Sequence, residues 1–172
     1  MGICRQYLSS TTVATVIAIA ILLTGCNSYE LSLNEKLIYS PPPLFSDYSI
    51  LDEGLKECVR GVIQESDIRT PDAMTHIVCP AGNIVNLEGI EIFTQLTHLG
   101  LADNKVGSVA TISTMHQLQQ LDLRGNNLVD VSELAELTVL NLVNLTENFH
   151  LECSSLSSLT QIDTVIKPSH CM

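Results

Sequence analysis

The sequence predicts an α/β-type solenoid. Short parallel β-strands would stack on a concave face, 3₁₀ or extended backbone would form the convex side, and an α-helix would cap the N-terminal end. Three observations predict it. An aliphatic pattern recurs every 22 residues through residues 74–166. Asparagine recurs at the same place in three of the four full copies. The chain is 45% apolar but only 4% aromatic, with no Trp, so Leu, Ile and Val must build the core. At 172 residues it is long enough for about one domain.

Composition also excludes partners. The formal net charge is −11, from 8 basic and 19 acidic residues. Nucleic acid calls for a basic face or aromatic stacking platforms, and neither is available here. The acidic surface would repel phosphates and anionic lipid heads.

The chain opens with Arg5 and an uncharged, mostly apolar run, TTVATVIAIAILL, at 11–23. A membrane span needs about 20 residues, so the run is short for one. It fits the h-region of a secretory signal peptide over 1–25. Leu23-Thr24-Gly25-Cys26 follows directly and resembles the lipobox of bacterial lipoproteins. The resemblance implies that Cys26 is acylated and becomes the first residue after cleavage, anchoring the chain in a membrane. In such families an Asp after the lipidated Cys marks retention at the inner membrane. Asn27 stands there, so the resemblance implies the outer membrane, with a periplasmic or external face.

Residues 26–46 show no apolar period and contain Pro41-Pro42-Pro43, a stiff extended triplet. They read as a tether; Tyr39, Leu44 and Phe45 offer the alternative of packing on a domain edge. Within an N-terminal cap at 47–73, apolar groups at Leu51, Leu55, Cys58, Val59, Val62 and Ile63 mark one face of a helix over 51–65. Asp52 and Glu53 suit its first turn, where the helix dipole favours acids.

The repeat is legible in detail. Leu96, Leu99, Leu101, Asn104, Val106, Val109, Ile112 and Met115 form one copy. Leu118, Leu121, Leu123, Asn126, Leu128, Val131, Leu134 and Leu137 form the next. Of 28 positions that should be apolar in four copies, only His150 fails. A truncated fifth copy begins at Ile162 and Val165. The pattern LxxLxLxxNxL is that of leucine-rich repeats, and the period resembles the internalin-like class. Residues 167–172 are left as a C-terminal cap.

In such a coil, Leu99 and Leu101 point inward and His98, Gly100 and Ala102 outward. Asn104, Asn126 and Asn148 would form a buried ladder bonding turn backbone. Gly82 breaks the ladder in the first copy, where Asn83 is a substitute. Apolar spacing of three after the turn suits 3₁₀ backbone.

Apart from Cys26, four cysteines remain in the exported part, which suggests disulfides. Cys58 lies on the helix face, Cys79 and Cys153 at inward repeat positions, and Cys171 after the last strand. Strands stack about 4.8 Å apart, so Cys79 and Cys153 lie roughly 14 Å apart. A disulfide needs Cα atoms within about 7 Å. Of three pairings, only Cys58–Cys79 with Cys153–Cys171 survives.

The concave face is the expected site. His76, His98, Gln120, Asp122, Arg124, Leu142 and Asn144 are its candidate partner-binding residues, and the expected partner is another protein. Five strands span only about 24 Å, so the interface would be near the low end for specific complexes. His76 and His98 share a repeat position and would need a third ligand, such as Gln120 or Asp122, to hold a metal; no metal and no cofactor is expected. HExxH, GxSxG, P-loop and GxGxxG motifs are missing, and no nucleophile is paired with a base, so no catalytic residue is assigned and an enzyme is not expected. The alternative function is a structural or assembly part of a cell-envelope complex.

Overall fold

The computed structural model describes residues 4–8, 29–33, 36–40 and 42–172. It divides into two units, 1–43 and 44–172. The h-region at 11–23 and Cys26 lie outside the described residues. No helix among the described residues is long and apolar enough to cross a membrane.

In the first unit β1 (Cys4–Leu8) pairs parallel with β2 (Tyr29–Leu33). β3 (Lys36–Tyr39) pairs antiparallel with β2, with an irregularity between Leu31 and Ser32. Two of these strands lie within the expected tether over 26–46. Tyr29-Glu30-Leu31-Ser32-Leu33 alternates apolar and polar residues, a period of two that favours a strand.

The second unit starts at Leu44, three residues before the expected boundary. Leu44, Phe45 and Tyr48 pack on the core. Phe45, Tyr48 and Phe93 form an aromatic triangle with centroids 5.8, 6.1 and 6.4 Å apart. The Phe45 N–H donates to Ile68 O at 2.9 Å. A chain poor in rings thus gathers three of them where its entry segment docks, and each buries a large apolar area.

Helix α1 (Glu53–Glu65) buries Leu55, Val59 and Ile63. Leu51, placed on the apolar face by the sequence pattern, precedes the helix and is exposed. Asp52 is the N-cap rather than a first-turn residue: its carboxylate accepts from Leu55 N at 3.0 Å. Its second oxygen accepts from Val85 N at 2.9 Å and Asn86 N at 3.1 Å. One carboxylate therefore caps the helix and ties it to the first lap of the coil. Gly54 is required here, because a Cβ would collide with the carbonyl oxygen of Gly82.

Five parallel strands follow in sequential order: β4 (His76–Val78), β5 (His98–Gly100), β6 (Gln120–Asp122), β7 (Leu142–Asn144) and β8 (Thr164–Ile166). Ile77, Leu99, Leu121, Val143 and Val165 pair in one inward column. The first four are at most 2% exposed; Val165 is half-buried. Convex-side 3₁₀ turns at Ile90–Ile92, Ile112–Thr114, Ser132–Glu136 and Cys153–Ser158 match the spacing of three. The fold is a leucine-rich-repeat solenoid.

The asparagine ladder joins neighbouring laps. Asn126 Nδ2 donates to Leu101 O, Leu123 O and Arg124 O, and its Oδ1 accepts from Val106 N. Asn104 and Asn148 repeat this arrangement. Asn83 does not replace the missing first rung. It is exposed, and Asn104 Oδ1 reaches back to both Gly82 N and Ile84 N. Each ladder turn also contains a left-handed residue: Ala81, Asp103, Gly125 and Glu147, with φ of 52°, 58°, 65° and 59°. Only Gly125 adopts it without steric cost.

Disulfides join Cys58 to Cys79 and Cys153 to Cys171, with Cα separations of 5.7 and 5.3 Å. The pairing is the one stacking geometry allows, but Cys153 is exposed rather than inward. The reason lies at His150, the one polar residue at an apolar position. It is exposed and Leu151 enters the core instead, a local change of one residue after which Leu156 and Leu159 keep their repeat positions.

Candidate functional site

Behind the concave sheet the core is closed; in front of it stand two columns of side chains. The first runs His76, His98, Gln120, Leu142, Thr164; the second runs Val78, Gly100, Asp122, Asn144, Ile166. A strand alternates its side chains between faces, so the residues flanking each inward aliphatic face solvent together. Six of the seven predicted residues lie in these columns. Arg124 lies two residues past Asp122, in a third column where Ala102, expected outward, is buried instead.

The structure stacks His76 on His98. Their ring centroids are 4.2 Å apart and their planes 12° from parallel. Thr97 Oγ1 donates to Thr75 O at 3.0 Å and lies 2.8 Å from His98 Nδ1. Having spent its proton on Thr75, that hydroxyl accepts from Nδ1, which leaves Nε2 of neutral His98 as an acceptor. Thr75 Oγ1 lies 2.9 Å from His76 Nδ1. Burial, and secondly the charge of His76, hold His98 below its ordinary pKa of 6.5. The neutral stack therefore contributes stability above pH 6.5, and that contribution is lost as pH falls through the folded-state value. The threonine buttress escaped the motif search. Its signal was the dipeptide Thr-His at 75–76 and again at 97–98, one period apart.

The polar residues further along are partly engaged in the fold. Asp122 Oδ1 accepts from Arg124 N at 3.0 Å, and Asn144 Oδ1 accepts from Thr146 N and Oγ1 at 3.2 and 2.9 Å. Arg124 Nη2 bridges to Asp103 at 2.8 Å. Between these groups and the histidines lies a smooth patch: Val78, 63% exposed, leans on the bare Cα of Gly100. The face thus offers an aromatic pair, an aliphatic patch, an amide, a carboxylate and the half-buried Leu142 within five short strands. It suits contact with a mixed polar and apolar surface.

Among the described residues, one group of three metal-ligand types lies together: Cys153, His170 and Cys171, with ligand atoms within 4.8 Å of one another. The disulfide takes both sulfurs.

Comparison with known proteins agrees with this architecture. A family model described as leucine-rich repeats (2 copies) matches residues 94–136. An internalin (inlF) from Listeria monocytogenes is similar in structure, with a TM-score of 0.60 and 26% identity over 69% of this chain and 36% of that one. Internalin C2 from the same organism aligns with a TM-score of 0.44 and 18% identity, over 72% of this chain and 69% of that one. The chain spans little more than a third of the inlF chain. No curated protein matches. The chain thus carries leucine-rich repeats and is similar in fold to an internalin.

Proposed function

We propose that this chain is a lipid-anchored recognition module. It is held through an acylated Cys26 in the outer membrane of a bacterial envelope, and it binds a protein partner with its concave face. The observation that carries the recognition role is the pair of in-register, solvent-facing columns. A coil needs its inward positions for stability, but nothing in the fold demands His76, His98, Val78 and Leu142 outside. The lipobox resemblance supports the anchor, and several acyl chains at about 0.8 kcal/mol per buried CH₂ are physically sufficient for it.

The test is crosslinking of the full chain in intact cells, with mass identification of what is captured. Asp122→Asn retains the turn acceptor and removes the charge, as Asn144 does one lap later. Combined with His76→Ala and His98→Ala it is expected to cut capture at least tenfold while the thermal midpoint stays near wild type. Capture is also expected to weaken as pH falls through the lowered pKa of His98, where its ring takes up a proton against His76. Full capture by the triple variant would remove the concave face and favour docking of the caps or convex side in an envelope assembly. For the anchor, Cys26→Ser is expected to abolish incorporation of labelled palmitate; retained label would overturn the lipid assignment.

A further inference from the structure

Among the described residues, β8 carries an unpaired half of the joint that links each lap to the next. Leu101 N donates to Asp122 O at 2.8 Å, Leu123 N to Asn144 O at 2.9 Å, and Leu145 N to Ile166 O at 2.8 Å. Lys167 is the next member of that column, and among the described residues no strand pairs with that edge of β8. On β8, Thr164 N donates to Asn141 O and Ile166 O accepts from Leu145 N, so those two residues face β7. Alternation along a strand then turns the N–H and C=O groups of Val165 outward, with those of Asp163 and Lys167 beside them.

The side chains agree. Val165 and Leu156 are half-buried where their counterparts Val143 and Leu134 are fully buried. Ile166 is 42% exposed and Met172 90% exposed. At the opposite end α1 packs against β4, with Cys58 bonded to Cys79, so a head-to-tail stack of chains is blocked.

We propose that the β8 edge binds the β8 edge of a second copy of this chain, antiparallel and centred on Val165. That register sets Val165 opposite Val165 of the partner as a hydrogen-bonded pair, and Asp163 opposite Lys167 twice. Cα atoms in such pairs lie about 5.5 Å apart, within reach of an ion pair. Both residues are exposed, and neither is in an ion pair among the described residues. The contact is two-fold and closes on itself, giving a dimer and no fibre. With about five residues from each strand it is small, of the size of weak and transient contacts.

The experiment is sedimentation equilibrium of the full chain from 1 to 200 μM, in detergent with micelles in excess. The wild type is expected to dimerise. Lys167→Asp sets acid against acid and is expected to weaken dimerisation at least tenfold; Asp163→Lys with Lys167→Asp restores the opposite charges and the dimer. Val165→Pro deletes an outward N–H and is expected to be monomeric. Amide exchange at Val165 and Lys167 should slow as concentration rises. A wild type monomeric at 200 μM overturns the proposal. So does a dimer that survives both Lys167→Asp and Val165→Pro, which places the contact elsewhere. A charge-swapped double variant that stays monomeric overturns the antiparallel register.

Discussion

The two ends of the solenoid solve one problem with unequal means. A lap cannot bury its own inward face, so a coil needs a lid at each end. The N-terminal lid has a 13-residue helix, an aromatic triangle, the Asp52 carboxylate on three backbone N–H groups, and a disulfide whose Cys79 is buried. Beneath it, Ile77 is fully buried. The C-terminal lid is one 3₁₀ turn, Ser169–Cys171, with His170 Nε2 2.9 Å from Leu151 O and a disulfide on the exposed Cys153. Beneath it, Val165 stays half-buried. Among the described residues the same repeat is thus closed at one end and left with an unpaired strand edge at the other, the edge at which we propose that a second copy pairs.

The disulfides give the sharpest test of this asymmetry. Their sequence separations are 21 and 18 residues, so chain entropy predicts nearly equal contributions of about 3 kcal/mol. Any difference in measured cost reports the surroundings instead. Cys58→Ala with Cys79→Ala is expected to cost about 4 kcal/mol, because it also opens a gap beneath the helix. Cys153→Ala with Cys171→Ala is expected to cost about 3 kcal/mol or less. Urea denaturation of both variants checks the order; equal losses would mean that the lids are equally packed.

Asp52 gives the next largest effect. Asp52→Ala is expected to cost about 2 kcal/mol, through loss of the cap and of two bonds to the first lap. Burial opposes ionisation of this carboxyl, but the hydrogen bonds from the N–H groups of Val85, Leu55 and Asn86 outweigh it and hold the pKa below the ordinary 3.8. A depressed carboxyl contributes its stability fully above the unfolded-state value, and loses it as pH falls through the folded-state value. Amide exchange at Val85 and Asn86 should therefore accelerate below pH 3.8 in the wild type and lose that acid dependence in Asp52→Asn. The C-terminal lid has no such carboxylate cap.

The smallest effect probes the turns. Ala81 and Glu147 hold left-handed φ near opposite ends of the coil. Ala81→Gly and Glu147→Gly are each expected to stabilise by about 1 kcal/mol or less, because relief of backbone strain is offset by a more flexible unfolded chain. Thermal midpoints should rise slightly in both, and a fall in either would show that the residue's side chain outweighs its backbone cost.

Much of the molecule was legible in the sequence, and the illegible parts have a common cause. The column Leu99–Leu121–Val143, the asparagine ladder and the convex 3₁₀ turns follow from a period that places identical demands on each lap; the helix follows from its own apolar spacing, and the disulfide pairing from the distance between laps. The concave residues were legible for the same reason. Features that occur once carry no period. Docking of Phe45 and Tyr48 on Phe93, exposure of Leu51 and the one-residue change at His150 and Leu151 were settled by local competition among neighbours.

Amino-acid order alone determined how the chain coils and which faces it hides, because burying matched aliphatic groups every lap leaves one economical path. Tertiary structure alone decided how the ends are closed, how His98 is held between His76 and Thr97, and which backbone groups on β8 face β7. Those outcomes depend on distances between residues far apart in the chain, and a repeating pattern specifies neighbours only within its own coil.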